Sequence, residues 1–441
     1  MEFMLKSSRF LKFNQEKPIF HLIVLAIFVI TMSIFISDSI ALNSHYPLSN
    51  MSNSDSKLDT KISEIPPDLE SEPTAAVSAT PTQKPNLIPT PIPTKQIPTQ
   101  DLPVKGTREY GISTGGGLIS LSQEDLNQYF ESLKLLGAQW VRFDIEWGQI
   151  QLNNTDSFNW GNTDRVVLEA KKYNINILGT IAYAPKWARD PSCSNDFGCE
   201  PNDPKIFGHF SGVAASHYKD SITYWEIWNE PNSANFLGPR SDVTKYIDIL
   251  KAAYIEIKNA NPRSFVISGG LEASVDGVDS GISPLTFIKT LYASGANQYF
   301  DAVALHPYTY PVSPNYVAEW NSWQQMSSIH QLMVSKGDSG KKIWITEYGA
   351  PTGGPGNNCE LDQLSFTYGS DYMSESAQKE MVQQATLYYN QNTSWMGPFF
   401  WYSLHDNGTS RDTPENFFGL TRNDWSKKPS FVEFQEMISG Q

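Results

Sequence analysis

Thr223-Tyr224-Trp225-Glu226-Ile227-Trp228, followed at once by Asn229-Glu230-Pro231-Asn232, is the stretch on which the reading of the fold turns. The first six residues are rich in aromatic and β-branched side chains and read as a strand. Pro231 has no N–H to give to a ladder, so it helps to stop the strand just after Glu230. Working outward, the same kind of run recurs on both sides. Upstream lie Tyr110–Ser113, Val141–Ile145 and Ile175–Ile181; downstream lie Phe265–Ser268, Ala302–Leu305, Lys342–Thr346 and Pro398–Tyr402. Helical stretches separate them. The clearest is 242–259, with Tyr246, Ile249, Leu250, Ala253 and Ile257 at helical spacing. Gly137, Pro262 and Gly295 punctuate the ends. Eight alternating strand–helix units predict an α/β fold, a (β/α)8 TIM barrel.

The chain has 441 residues, 40% of them hydrophobic, 18% charged and 12% aromatic, and carries a net charge of −14. That balance excludes a wholly disordered chain, a collagen and a polytopic membrane protein. An acidic surface also argues against a nucleic-acid partner. All 12 tryptophans lie from Trp140 onward, so the aromatic chemistry belongs to the barrel. Residues 1–43 read as a signal peptide or signal-anchor. Lys6, Arg9, Lys12 and Lys17 precede the apolar run Ile19–Ile36, and Ser39-Ile40-Ala41 is a passable cleavage site. The positive-inside rule puts the rest of the chain outside the cell in either case, released or held by an N-terminal membrane anchor. Residues 44–104 are rich in Pro, Ser and Thr, with Tyr46 the single aromatic, and read as a disordered linker or semi-rigid stalk. Residues 105–441 are the expected catalytic domain.

In a barrel of this kind chemistry sits at the C-terminal ends of the strands. Strand four ends in Asn229-Glu230 and strand seven in Thr346-Glu347-Tyr348. Two carboxyl groups across a barrel mouth suit hydrolysis of a glycosidic bond. One must be protonated to donate to the leaving oxygen, and the other ionised to attack or to activate water. Glu226 lies four residues before Glu230, on the same face and deeper, and reads as a structural carboxylate that needs a buried partner. Asp144 and Glu146 are open between lining the cleft and finishing their strand.

Trp225-Glu226-Ile227-Trp228-Asn229-Glu230-Pro231-Asn232 resembles the acid/base motif of the large clan of retaining glycoside hydrolases with (β/α)8 barrels, clan A. Ile345-Thr346-Glu347-Tyr348-Gly349 resembles its nucleophile motif. The resemblance covers residues 105–441 and is closest in flavour to glycoside hydrolase family 39, with family 5-like cellulases next. It implies Glu230 as general acid/base and Glu347 as nucleophile. It implies substrate-binding roles for Arg142, which holds the nucleophile ionised, and for Asn229, which bonds the sugar 2-hydroxyl. His306 and Tyr308 match the clan's site His and Tyr, and Trp401 its aromatic floor, with a non-proline cis peptide expected after Trp401. Tyr183-Ala184-Pro185-Lys186-Trp187, after strand three, departs from the pattern by lacking a His, which clouds the identity of the sugar.

The expected activity is therefore extracellular hydrolysis of O-glycosidic bonds in a β-linked poly- or oligosaccharide by double displacement, with no cofactor and no metal. The alternatives are a non-catalytic carbohydrate-binding or adhesion protein on the same barrel, and a transglycosylase. Trp147, Trp187, Tyr310, Trp320, Trp323 and Tyr348 stand where loops surround the mouth. Each fits sugar stacking or plain packing. Outside the cell Cys193 and Cys199 favour a disulfide, although Cys359 is an alternative partner for either. Their spacing does not suit zinc. Gly115-Gly116-Gly117 lacks the Lys-Ser/Thr of a phosphate-binding loop and reads as a close backbone approach or a flexible turn.

Overall fold

A computed structural model describes residues 108–193, 198–354, 373–411 and 413–440. The expected leader 1–43, the linker 44–104 and Cys359 lie outside the described residues. Among the described residues no helix is long and apolar enough to cross a membrane.

Eight parallel strands close into a barrel in sequence order. They are β1 (Tyr110–Ser113), β2 (Trp140–Glu146), β3 (Asn176–Ala182), β4 (Tyr224–Asn229), β5 (Phe265–Glu272), β6 (Val303–His306), β7 (Ile343–Tyr348) and β8 (Met396–Tyr402). β8 pairs back onto β1, Tyr110 opposite Phe399 and Ser113 opposite Tyr402. A helix follows each strand: α1 (Gln123–Leu136), α2 (Gly161–Lys172), α3 (Pro204–His217), α4 (Val243–Ala260), α5 (Pro284–Ala293), α6 (Ser322–Ser335), α7 (Glu375–Gln391) and α8 (Pro429–Ser439). The TIM-barrel reading is correct, and all eight expected strands are present.

The helices start and stop for local reasons. The Ser122 hydroxyl accepts from the Asp125 N–H at the head of α1, and Gly137 ends that helix at φ 85°. Asp242 caps α4 by accepting from the N–H groups of Thr244 and Lys245. The apolar stripe of α4 is buried as its spacing requires, and Tyr246 on it fastens two strands. Its hydroxyl donates to the Ile227 carbonyl at 3.0 Å and accepts from the Gly269 N–H at 2.6 Å.

Side chains that alternate inward fill the barrel in layers. Trp140, Leu178, Ile267, Ala302, Ala304, Trp344 and Phe400 form the apolar floor. Gly397 leaves room for the Trp344 indole, since a Cβ there would stand 2.3 Å from it. Above the floor comes a polar layer. The Glu226 carboxylate accepts from Arg142 Nε at 2.5 Å, Thr180 Oγ1 and Thr346 Oγ1 at 2.8 Å each, and the Gly270 N–H at 2.9 Å. Four donors satisfy a fully buried carboxylate, which is the structural role expected of Glu226.

Alternation also corrects one expectation. Phe400 faces the barrel axis, so Trp401 next to it faces outward. Trp401 is fully buried against Tyr348 and Phe434, its indole N–H donating to the Phe418 carbonyl at 3.4 Å. The non-proline cis peptide lies one residue on, at Tyr402–Ser403. Trp401 therefore belongs to the layer between barrel and helices, and Tyr402 is the aromatic side chain that β8 turns inward at the mouth, above Phe400 in the floor.

Candidate active site

Two strands break the two-residue alternation where the chemistry stands. In β4 Glu226 points inward, Trp228 turns out towards Phe207 and donates its indole N–H to the Phe236 carbonyl, and Asn229 points in again. The backbone achieves this with positive φ at Trp228 (71°) and Glu230 (47°), the left-handed region that side chains with a Cβ rarely enter. Adjacent residues Asn229 and Glu230 thus both reach the mouth. Simple alternation had put Glu230 there on the strand pattern alone. In β7 the pairing with β8 shifts between Ile345 and Tyr348. Thr346 and Glu347 then both face the interior, while Tyr348 packs against Trp323 outside. An irregular strand that re-aims one side chain beside a site is a recurrent device.

Arg142 organises the centre. It is fully buried, and its guanidinium donates to Glu226, Ser113 Oγ (3.1 Å), Asn229 Oδ1 (2.9 Å) and Glu347 Oε1. The other oxygen of Glu347 accepts from the Tyr308 hydroxyl at 2.8 Å. Both oxygens of Glu347 are thus held by donors, one of them cationic. Burial, then the Glu347 charge, push the Tyr308 hydroxyl well up and keep it a donor.

Glu230 has different surroundings. It is 7% exposed and meets His306 Nδ1 at 2.9 Å. His306 Nε2 lies 3.0 Å from Thr346 Oγ1, whose own proton goes to Glu226. Thr346 can then only accept from His306, which places the imidazole proton on Nε2 and leaves Nδ1 bare. Burial, then Arg142, lower His306 well below its usual range and keep it neutral. A bare Nδ1 is an acceptor, so the proton between it and Glu230 belongs to the carboxyl group. Burial, then Glu272 and Glu347, raise Glu230 well above the usual carboxyl range. The network and the electrostatics agree.

The metal-binding atoms of Glu230, His306 and Glu347 lie within 4.8 Å of one another. This is the only such trio among the described residues. The Arg142 cation on Glu347 disfavours a second positive charge there. One oxygen of Glu230 and one of Glu347 are within 4.8 Å of each other.

Of the seven site residues expected from the sequence, Glu230, Glu347, Arg142, Asn229, His306 and Tyr308 meet in one network, and Trp401 does not. The other mouth aromatics divide. Trp147, Trp323 and Tyr348 are buried packing, and Trp187 stands edge-on to Trp147. Tyr310 packs on Phe418, and Trp320 stacks on the exposed Tyr316. Sequence reasoning missed Ser113, Tyr402 and Glu272. Strand-end position was the available signal for each, since all three close an inward-facing strand. Glu272 lies opposite His306 in the β5–β6 ladder, and burial pushes it up to about 7 against a bond from Ser233. Cys193 is disulfide-bonded to Cys199.

No protein-family model and no curated protein matches this chain. Solved structures do share its fold. A family 39 glycoside hydrolase from the gut symbiont Bacteroides cellulosilyticus WH2 superposes with a TM-score of 0.59 at 21% identity, over 75% of this chain and 64% of that one. The GH39 enzyme from Xanthomonas axonopodis pv. citri gives 0.57 at 14% identity, over 76% and 67%. A monomeric β-xylosidase from Caulobacter crescentus CB15 gives 0.55 at 13%, over 75% and 67%. The chain thus spans about two thirds or less of the length of these neighbours, and at such identities the likeness establishes the barrel fold.

Proposed function

We propose that this chain is a retaining glycoside hydrolase that cleaves a β-linked poly- or oligosaccharide outside the cell. The observation that carries the reading is the pair Glu230 and Glu347. One oxygen of each lies within 4.8 Å of one of the other, and the two groups stand in opposite environments. One carboxyl group faces a bare imidazole nitrogen and keeps its proton; the other faces a guanidinium and a phenol. Environments that push two carboxyl groups apart assign acid and nucleophile. The β-linkage follows the neighbouring fold described as a β-xylosidase. The Cys193–Cys199 disulfide supports an oxidising compartment, in line with the basic and apolar N-terminal segment.

In the first step a Glu347 oxygen forms a bond to the anomeric carbon as the bond to the leaving oxygen breaks. Glu230 gives that oxygen its proton. The Glu347 charge is then spent in the ester, so the field that held Glu230 protonated weakens. In the second step Glu230 takes a proton from water, the water oxygen bonds the anomeric carbon, and Glu347 leaves as carboxylate. Asn229, fixed through its Oδ1 by Arg142, has its amide N–H left for the sugar 2-hydroxyl.

The test is a panel of aryl β-glycosides followed by proton NMR of the first product. Release of the β-anomer supports the reading. First release of the α-anomer, or no turnover of any glycoside by a folded protein, overturns it.

A further inference from the structure

One buried carboxyl group at the mouth has no task in the network above. Asp144 is the third inward residue of β2, two beyond Arg142, so it stands roughly 6.6 Å further up the strand, a layer above the guanidinium. It is 4% exposed, and its Oδ1 has no hydrogen-bond partner. It is not an ion-pair partner of Arg142, whose charge goes to Glu226 and Glu347. Burying a carboxyl group with an idle oxygen costs free energy unless something arrives to bond it.

The loop above it, Gly115-Gly116-Gly117, carries no side chains. Gly115 and Gly116 arch over Asp144, whose N–H donates to the Gly115 carbonyl at 3.2 Å. Gly115 sits at φ +55°, and a Cβ on Gly116 would stand 2.2 Å from Glu146 Oε1. The loop therefore presents backbone alone, and Gly117 faces open space. Burial pushes the Asp144 carboxyl well up against the pull of Arg142, and the charges of Glu146 and Glu347 push the same way. A group so placed can both accept from and donate to a hydroxyl.

We infer that Asp144 is a substrate-binding residue, its free oxygen bonding a ring hydroxyl of the sugar held over Glu347, and that the pocket takes a neutral sugar in preference to a uronic acid. The inference rests on the glycosidase reading. The second half follows from charge: in the network of described residues above, the one cation is Arg142, already shared by Glu226 and Glu347, so a sugar carboxylate would enter unpaired.

The test pairs protein and substrate changes. Wild type, Asp144→Asn and Asp144→Ala are assayed on 4-nitrophenyl β-glucoside, β-xyloside and β-glucuronide, and on the monodeoxy forms of the favoured sugar. D144A should lower kcat/KM about 10- to 100-fold. At one ring position the deoxy penalty seen with wild type should vanish in D144A, a non-additivity that a merely structural residue would not produce. D144N, which keeps an acceptor and a donor, should recover part of the loss. Binding of the same glycosides to Glu347→Gln, with and without D144A, gives a readout free of turnover, and D144A should weaken it. Unchanged kcat/KM in D144A, equal deoxy penalties in both proteins, or preference for the glucuronide would overturn the inference while leaving the hydrolase reading intact. A folded protein that neither binds nor cleaves any of these sugars overturns both.

Discussion

Glu272 carries a charge that bears on the proton of Glu230. It stands beside His306 in the ladder and is among the groups that hold the proton on Glu230. In the proposed mechanism Glu230 must be protonated to act as acid, so kcat/KM should fall as pH rises through its raised pKa. Glu272→Gln removes a neighbouring negative charge, lowers that pKa, and should move the alkaline limb to lower pH. Because burial pushes Glu272 up to about 7, the two profiles should coincide well below that pH and separate above it. Superimposable profiles throughout would remove Glu272 from the electrostatics of the site. At the same scale, Tyr308→Phe takes one of the donors from Glu347. A bond to a charged group is worth about 1.5–3 kcal/mol, so kcat/KM should drop roughly 10- to 100-fold with the fold retained. Circular dichroism and aryl-glycoside kinetics check both parts.

Elements decide which residues reach the mouth, and here the sequence was legible only up to a point. Strand existence was plain from the aromatic and β-branched runs, and the cap of α4 stood in Asp242. Facing was not. In β8 the side-chain period of two puts Phe400 and Tyr402 inside and Trp401 outside, a distinction that needs the register against β1 and β7. The turns of phase in β4 and β7 come from positive φ at Trp228 and Glu230 and from an irregular ladder at Glu347. Neither is written in residue type, since Trp and Glu do not advertise left-handed backbone. Arg142, Asn229, His306 and Tyr308 were legible through the resemblance of their strands to the clan's motifs. The parity argument is testable. Trp401→Ala should cost about 3–5 kcal/mol and leave the KM of the folded enzyme unchanged. Tyr402→Ala should lower kcat/KM roughly tenfold through lost ring contact. The reverse pattern would restore Trp401 to the site. Gly270 tests the same scale from the opposite side. A Cβ there would stand 2.1 Å from His306 Nε2 and 2.7 Å from Thr346 Oγ1. Gly270→Ala should therefore push the imidazole off Glu230, destabilise by about 1–3 kcal/mol, and depress activity more than stability. Thermal melts and kinetics on one preparation separate the two.

Beyond the closed barrel, the connection from β8 to α8 is fastened to the loop after β7 by a buried ion pair and its neighbours. Lys428, just before α8, donates to Asp406 Oδ1 at 2.8 Å, to Thr352 Oγ1 and to the Phe417 carbonyl, with both charged side chains 1% exposed. Burial pushes Asp406 to about 6 while Lys428 opposes it. Removing one member leaves the other charge uncompensated, so Lys428→Ala should cost about 3–5 kcal/mol in urea unfolding. A loss below ~1 kcal/mol would mean that this junction tolerates the change. This pairing was invisible in the sequence because Asp406 and Lys428 lie 22 residues apart in the connection between β8 and α8, and Thr352 comes from the loop after β7.

The chemistry proposed for the centre of that barrel is covalent and would leave a mark. Incubation with 2-deoxy-2-fluoro β-glucosyl and β-xylosyl fluorides, whose second step is slow, followed by peptide mass spectrometry, tests it most directly. The account predicts one fluoroglycosyl group per chain, on the peptide containing Ile345–Gly349 and attached at Glu347, with Glu347→Gln unlabelled. A stable label on Glu230 or any other residue, or turnover of unfluorinated substrate by the Glu347→Gln protein at the wild-type rate, would contradict it.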